Sequence, residues 1–122
     1  MVGAALFDTV ILIDFLNGVR QARKEIHRYP DRAISLITWM EVMAGAPSDQ
    51  EQATALFLGT FINVAVTPAI ARQAVQLRRQ TKLKLPDAII LATAQVEKRV
   101  LLTRNTKDFK DDRLSVLVPY RL

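Results

Sequence analysis

Short apolar runs alternate with helix-patterned stretches along the whole of this chain. The runs at Ala4–Phe7, Ala33–Ile37, Asn63–Val66, Val100–Leu102 and Ser115–Val118 have the length and content of buried strands. Between them, residues Gln50 to Phe61 predict a helix with Ala53, Leu56, Phe57 and Phe61 on one face. Thr67 reads as an N-cap with Pro68 at the first helical position, and Ile70, Ala74 and Leu77 face one way before Arg79. From Pro86 to Val96 the sequence is apolar nearly all round, which predicts a helix buried on most sides that carries Asp87 into the interior. Ala46-Pro47-Ser48-Asp49 reads as a turn between helices. Strands alternating with helices predict an α/β fold in three layers, with a mainly parallel sheet of four to five strands covered on both faces. Ligands of such sheets sit outside the carboxyl ends of the strands.

Composition narrows this picture. At 122 residues, without repeat, linker or low-complexity tract, one domain over residues 1–122 is expected. An apolar share of 50% against 24% charged residues supplies a core and excludes disorder as the main state. The absence of cysteine excludes disulfides, thiolate metal sites and cysteine nucleophiles. Val10–Ile13 and Ala88–Ala92 are too short to span a bilayer, and no basic segment precedes a hydrophobic one at the amino terminus. A soluble, unexported, cytoplasmic protein without membrane contact is the expectation. A formal charge of +5 and a pI near 10.0 favour a polyanionic partner. The cations bunch at Arg72, Arg78, Arg79, Lys82 and Lys84, and again at Arg104, Lys107, Lys110 and Arg113.

The acidic residues give that charge a use. Asp8 closes the first strand, and Glu41 is expected on the first turn of the helix that follows the second. Asp87 opens the buried helix, and Thr103-Arg104-Asn105-Thr106-Lys107-Asp108-Phe109 follows the fourth strand. Each has an ordinary reading: Asp8 as an N-cap, Thr38-x-x-Glu41 as a capping box, Asp87 at the positive end of a helix dipole. Taken together, they are pushed toward one rim of the sheet. Two carboxylates about 4 Å apart repel by roughly 4 kcal/mol at an effective dielectric near 20, so three must gain a cation or bind protons. Oxygen donors without cysteine suit Mg²⁺ or Mn²⁺.

These segments also resemble a family, the PIN-domain nucleases, and within it the VapC-like toxins of toxin–antitoxin pairs. The resemblance is carried, in order, by four stretches: Phe7-Asp8-Thr9; Ser35 to Glu41 with Gly45; Leu85-Pro86-Asp87 through Ala94; and Leu102 through Phe109. It implies a PIN-like three-layer α/β/α fold, Mg²⁺ or Mn²⁺ held by Asp8, Glu41 and Asp87, and cleavage of RNA such as tRNA or rRNA. It also implies homodimers and inhibition by a cognate antitoxin. By position, Thr9, Thr38, Thr103 and Asn105 are the polar neighbours of the acids. Many relatives have an aspartate where this chain has Asn105, and others an acid at the place of Asp108, so both belong to the catalytic candidates.

The expected chemistry is metal-assisted hydrolysis of a phosphodiester, with Arg78, Lys84, Arg104 and Lys107 on the flanking phosphates. His27, the only histidine, lies apart from the acids in a polar helical stretch, which argues against histidine-dependent hydrolysis. Four glycines form no phosphate loop. Two alternatives stand beside this reading: a PIN-like module that binds RNA or protein without cleaving, and a phosphate-accepting receiver domain. The latter needs adjacent acids after the first strand, where this chain has Phe7 before Asp8. Tyr29 and Trp39 are candidates for an antitoxin or dimer surface, with core packing the other reading of Trp39.

Overall fold

The computed structural model describes residues 3–105, 107, 109 and 116–122. Five strands, β1 (Ala5–Phe7), β2 (Arg32–Ser35), β3 (Ile62–Val64), β4 (Val100–Leu102) and β5 (Val116–Leu117), form one sheet in the order β3-β2-β1-β4-β5. All neighbours pair in parallel, with Leu6 opposite Ala33 on one side and Leu101 on the other. Six α-helices cover it: α1 (Thr9–Leu16), α2 (Arg20–Arg28), α3 (Leu36–Gly45), α4 (Glu51–Leu58), α5 (Pro68–Gln80) and α6 (Leu85–Val96). A 3₁₀ turn at Ser48–Gln50 joins α3 to α4, in the place of the expected Pro47 turn.

The two-residue period of the strands builds the two cores. Leu6, Ala33 and Leu101 point to one face, where Ile70, Ala74 and Leu77 of α5 and Ala88, Leu91 and Ala92 of α6 cover them. Their chain neighbours Phe7, Ile34 and Leu102 point to the other face, against Ile11 and Leu12 of α1, Ile26 of α2 and Leu58 of α4. Phe7 meets Tyr29 and Phe61 in near-perpendicular ring contacts at 5.9 Å between centroids. The three-layer α/β/α architecture is therefore as expected. Leu91 is 1% exposed at the centre of the α5–α6 layer, so Leu91→Ala is expected to cost about 3 kcal/mol, measured by urea denaturation. A loss under about 1 kcal/mol would show that this layer repacks.

Two expectations change here. The buried stripe of α4 holds Thr54 and Leu58, with Phe57 half-buried, while Leu56 is 70% exposed. Thr54, a polar residue, is buried on that helix, whereas Ala53 of the predicted face is exposed. Tyr29 is buried against Phe7 and belongs to the core, whereas Trp39 lies at the surface. Helices α5 and α6 begin and end within a residue of expectation, and Thr67 caps α5 through its hydroxyl on the Ile70 N–H at 3.2 Å.

The chain leaves β1 toward β2 on one side and returns to β4 on the other. The β1–β4 gap is thus the point where connections diverge, the place where open parallel sheets bind ligands. The order also differs from the 2-1-3-4-5 arrangement of receiver-type domains, which removes that alternative.

Candidate active site

Asp8 stands at this divergence point. Its backbone N–H donates to the Leu102 carbonyl at 2.9 Å, which holds it beside the end of β4. As N-cap of α1, it accepts the Thr9 N–H on Oδ1 at 2.8 Å. Its Oδ2 accepts the Thr103 hydroxyl at 2.6 Å, and Thr103 Oγ1 in turn accepts the Asn105 N–H at 3.0 Å. One carboxylate thus caps α1 and accepts a hydroxyl from the end of β4.

Glu41 reaches the same rim from α3. Its Oε1 accepts the Thr9 hydroxyl at 2.7 Å, and that hydroxyl shares a further hydrogen bond with Thr38 Oγ1 at 3.0 Å. The capping box is not formed. Helix α3 starts at Leu36, capped by the Ser35 hydroxyl on the Ile37 N–H at 3.3 Å, so Glu41 lies in the second turn. The helix begins earlier than expected because Ser35 caps it, and Thr38, fully buried inside it, supports Thr9 and Glu41.

Asp87 lies in the first turn of α6 behind Pro86 and is half-buried. The electrostatics tie these acids together. Asp8 is 4% exposed, and burial is the largest influence in raising its carboxyl from an ordinary 3.8 to about 6. The Thr103 and Thr9 hydrogen bonds oppose the rise, while the charges of Asp87 and Glu41 add to it.

Thr9, Thr38, Thr103 and Asn105 thus gather with Asp8, Glu41 and Asp87 along one rim. Asp108 lies outside the described residues. Among those described, no three histidine, cysteine, aspartate or glutamate side chains are grouped closely enough to form a preformed metal cage. The donor chemistry nonetheless fits a hard cation: oxygen-only side chains, one buried, with like charges acting on it. Such an ion is commonly held by one or two carboxylates and completed by water and substrate oxygens.

The basic candidates separate. Arg78, in the last turn of α5, Lys84, just before α6, and Lys107 are exposed. Arg104 instead holds Asp14 of α1 in a two-pronged ion pair, Nε to Oδ2 at 2.6 Å and Nη2 to Oδ1 at 3.0 Å. Tyr120 donates its hydroxyl to the same Oδ2 at 2.8 Å. The cation and hydroxyl hold the Asp14 carboxyl below its usual range, against the opposing effect of burial. Sequence reasoning does not single out Asp14 or Tyr120; a lone acid within the apolar stretch Val10–Leu16 is the available signal. His27 is exposed on α2, apart from the acids.

Comparison with known proteins places this geometry. The chain has 52% identity and a TM-score of 0.92 with a chain of a toxin–antitoxin complex from Klebsiella pneumoniae, covering 98% of this chain and 100% of that one. FitAcB from Neisseria gonorrhoeae matches at 20% identity and a TM-score of 0.80, over 97% and 99% of the two chains. VapBC2 from Rickettsia felis, bound to a promoter DNA fragment, matches at 20% and 0.77, over 88% and 92%. At that identity the last two speak for the fold alone. A comparison with curated proteins gives no match. The PIN domain model matches residues 5–112, which spans β1 to the segment after β4 and includes every acid discussed above, so this chain belongs to the PIN-domain family.

Proposed function

We propose that this protein is a divalent-metal-dependent endoribonuclease and the toxin of a type II toxin–antitoxin pair. The observation that carries the proposal is Asp8: a buried carboxylate with Asp87 and Glu41 both acting on it unfavourably. A site arranged at that cost suits an incoming cation and a phosphate.

Asp8, Asp87 and Glu41 would hold Mg²⁺ or Mn²⁺, which when bound lowers the pKa of water and neutralises charge on the phosphate. Thr103 fixes one Asp8 oxygen and the Thr9 N–H the other. Thr9 and Thr38 fix Glu41, so both carboxylates stand in set orientations before substrate arrives. One carboxylate accepts the proton of the attacking water. A bond forms from the water oxygen to phosphorus as the bond to the neighbouring ribose oxygen breaks, and that leaving oxygen takes up a proton. Asn105, next to Thr103, supports the rim, and Asp108 is the further candidate acid. Arg78, Lys84 and Lys107 hold flanking phosphates, in tRNA or rRNA for example, and contribute affinity with little sequence discrimination. Arg104 contributes through Asp14.

A surface groove supports the antitoxin reading. A groove of about 310 Å³ lined by Ile13, Leu16, Val42, Gly45 and Pro47 opens beside Glu41. Ile13 and Leu16 are 42% and 43% exposed there, which suits an apolar segment of a partner that also covers the acids. Homodimers are part of the proposal, with the exposed Leu56 and Ile62 as candidate contacts. No helix among the described residues is long and apolar enough to cross a membrane, and a cytoplasmic location is part of the proposal.

Purified protein freed of inhibitor is expected to cleave total RNA with Mg²⁺ or Mn²⁺ and to stop in EDTA. Asp87→Asn is expected to lower the rate at least about tenfold, the scale of losing a metal-site group. Cleavage that persists in EDTA, or at full rate in Asp87→Asn, removes the proposed site.

A further inference from the structure

Helix α2 carries a feature that the catalytic rim does not use. Its sequence, Arg20 to Arg28, buries Ala22 and Ile26 in the core and turns Arg20, Arg23, Lys24, His27 and Arg28 outward. These five side chains, with Gln21, line one broad depression on the surface. Glu25 is the only acid in the sequence of the helix, and it pairs with Arg28 at 3.2 Å. A face that serves only solubility mixes both signs. This one has spacings of three and four residues between like charges, which repel each other along a helix in the absence of a counter-charge.

The position of α2 sets it apart from the acids. The helix leads through Tyr29 into Arg32, which opens β2 opposite Ala5, at the amino-terminal edge of the sheet. Asp8 follows the opposite, carboxyl-terminal ends. A strand of this length spans roughly 10 Å, so the cationic face extends toward the edge remote from the reacting phosphate.

We propose that the outer face of α2 is an exosite for the phosphate backbone of RNA, engaging structured substrate away from the point of cleavage. The choice of RNA rests on the function proposed above, and the surface itself rests on charge complementarity. A row of guanidinium and ammonium groups in solvent suits a flexible line of phosphates. An RNA hairpin can touch this face and the catalytic rim together. A five-nucleotide RNA reaches only the rim.

The test compares wild type, the Arg20→Gln/Arg23→Gln/Lys24→Gln variant, and a charge-retaining Arg20→Lys/Arg23→Lys variant. Binding of a hairpin of about 30 nucleotides and of a pentamer is measured by fluorescence anisotropy in EDTA across a salt series. The glutamine variant is expected to bind the hairpin at least about fivefold more weakly and to lower the slope of log affinity against log salt by about 2. Pentamer affinity and the circular dichroism melt should not change, and the lysine variant should restore hairpin binding. In Mg²⁺ the glutamine variant should raise KM for the hairpin by the same factor and leave kcat alone. Unchanged hairpin affinity and salt slope, equal losses on both RNAs, or failure of the lysine variant to restore binding would overturn the exosite. So would loss of an acidic protein partner with RNA binding intact. Hairpin binding through α2 without any cleavage would uphold the exosite and overturn the ribonuclease reading.

Discussion

Asp8→Asn is expected to abolish RNA cleavage and, in the same molecule, to raise the melting temperature at pH 8. Both effects come from one carboxylate. The folded protein raises Asp8 from 3.8 to about 6, so between those values the native state binds more protons than the unfolded chain. Stability is then complete below about pH 4 and falls as pH rises through 6, by about 3 kcal/mol once Asp8 is ionised. Asparagine keeps the shape without the charge. It gives up one of two accepted hydrogen bonds, worth about 1 kcal/mol, which leaves a net gain of about 2 kcal/mol at pH 8 and a net loss of about 1 kcal/mol at pH 4. For a domain of this size that is a rise of roughly 8 °C. Melting curves in EDTA at pH 4, 6 and 8 measure it. Cleavage should fall at least about a hundredfold, as when a group that stabilises the transition state is removed. A variant that melts earlier than wild type at pH 8 would mean that ionised Asp8 is well accommodated, and the case for a cation would lose its footing.

Breaking the Asp14–Arg104 pair should act in the opposite direction. In Arg104→Met, Asp14, which is 5% exposed, loses the guanidinium and retains the Tyr120 hydroxyl. Removing one member of a buried pair typically costs about 3–5 kcal/mol. Because the Arg104 side chain is 33% exposed, about 2–3 kcal/mol is expected at pH 7. The Asp14 carboxyl is lowered, chiefly by the Arg104 hydrogen bond, so this stabilisation is present above the ordinary carboxylate value. It fades as pH falls through the lower folded value, and the two melting curves should converge toward pH 3. The double variant Asp14→Leu/Arg104→Met should recover most of the loss, since it leaves no buried charge unpaired. A pH-independent deficit, or a double variant no better than the single one, would show that Arg104 acts through packing alone.

Asp8 at the cap of α1 and Asp14 within it thus carry opposite energetics on one short helix. Asp14 is matched by a guanidinium and a phenol and strengthens the fold. Asp8 faces other acids and weakens it. That contrast separates Asp14 from the acid proposed to hold a cation more sharply than burial, which both share.

Much of this was legible in the chain itself. Short apolar runs and helical patterning determined the α/β class, the α5 and α6 boundaries and the apolar face of α5, because burial of apolar surface is the main force driving folding and leaves its pattern in the sequence. Asp8 and Asp87 could be placed at element ends because a strand or helix terminus is a local event. The capping of α3 by Ser35, the inward face of Thr54 and the burial of Tyr29 depended on competition among neighbours: several residues could satisfy each role locally, and packing chose one. The order of strands, the pairing of Arg104 with Asp14 ninety residues away, and the raised carboxyl of Asp8 arise only from assembly. Local sequence states which groups are charged; only the folded chain decides which charges meet and how much water remains between them.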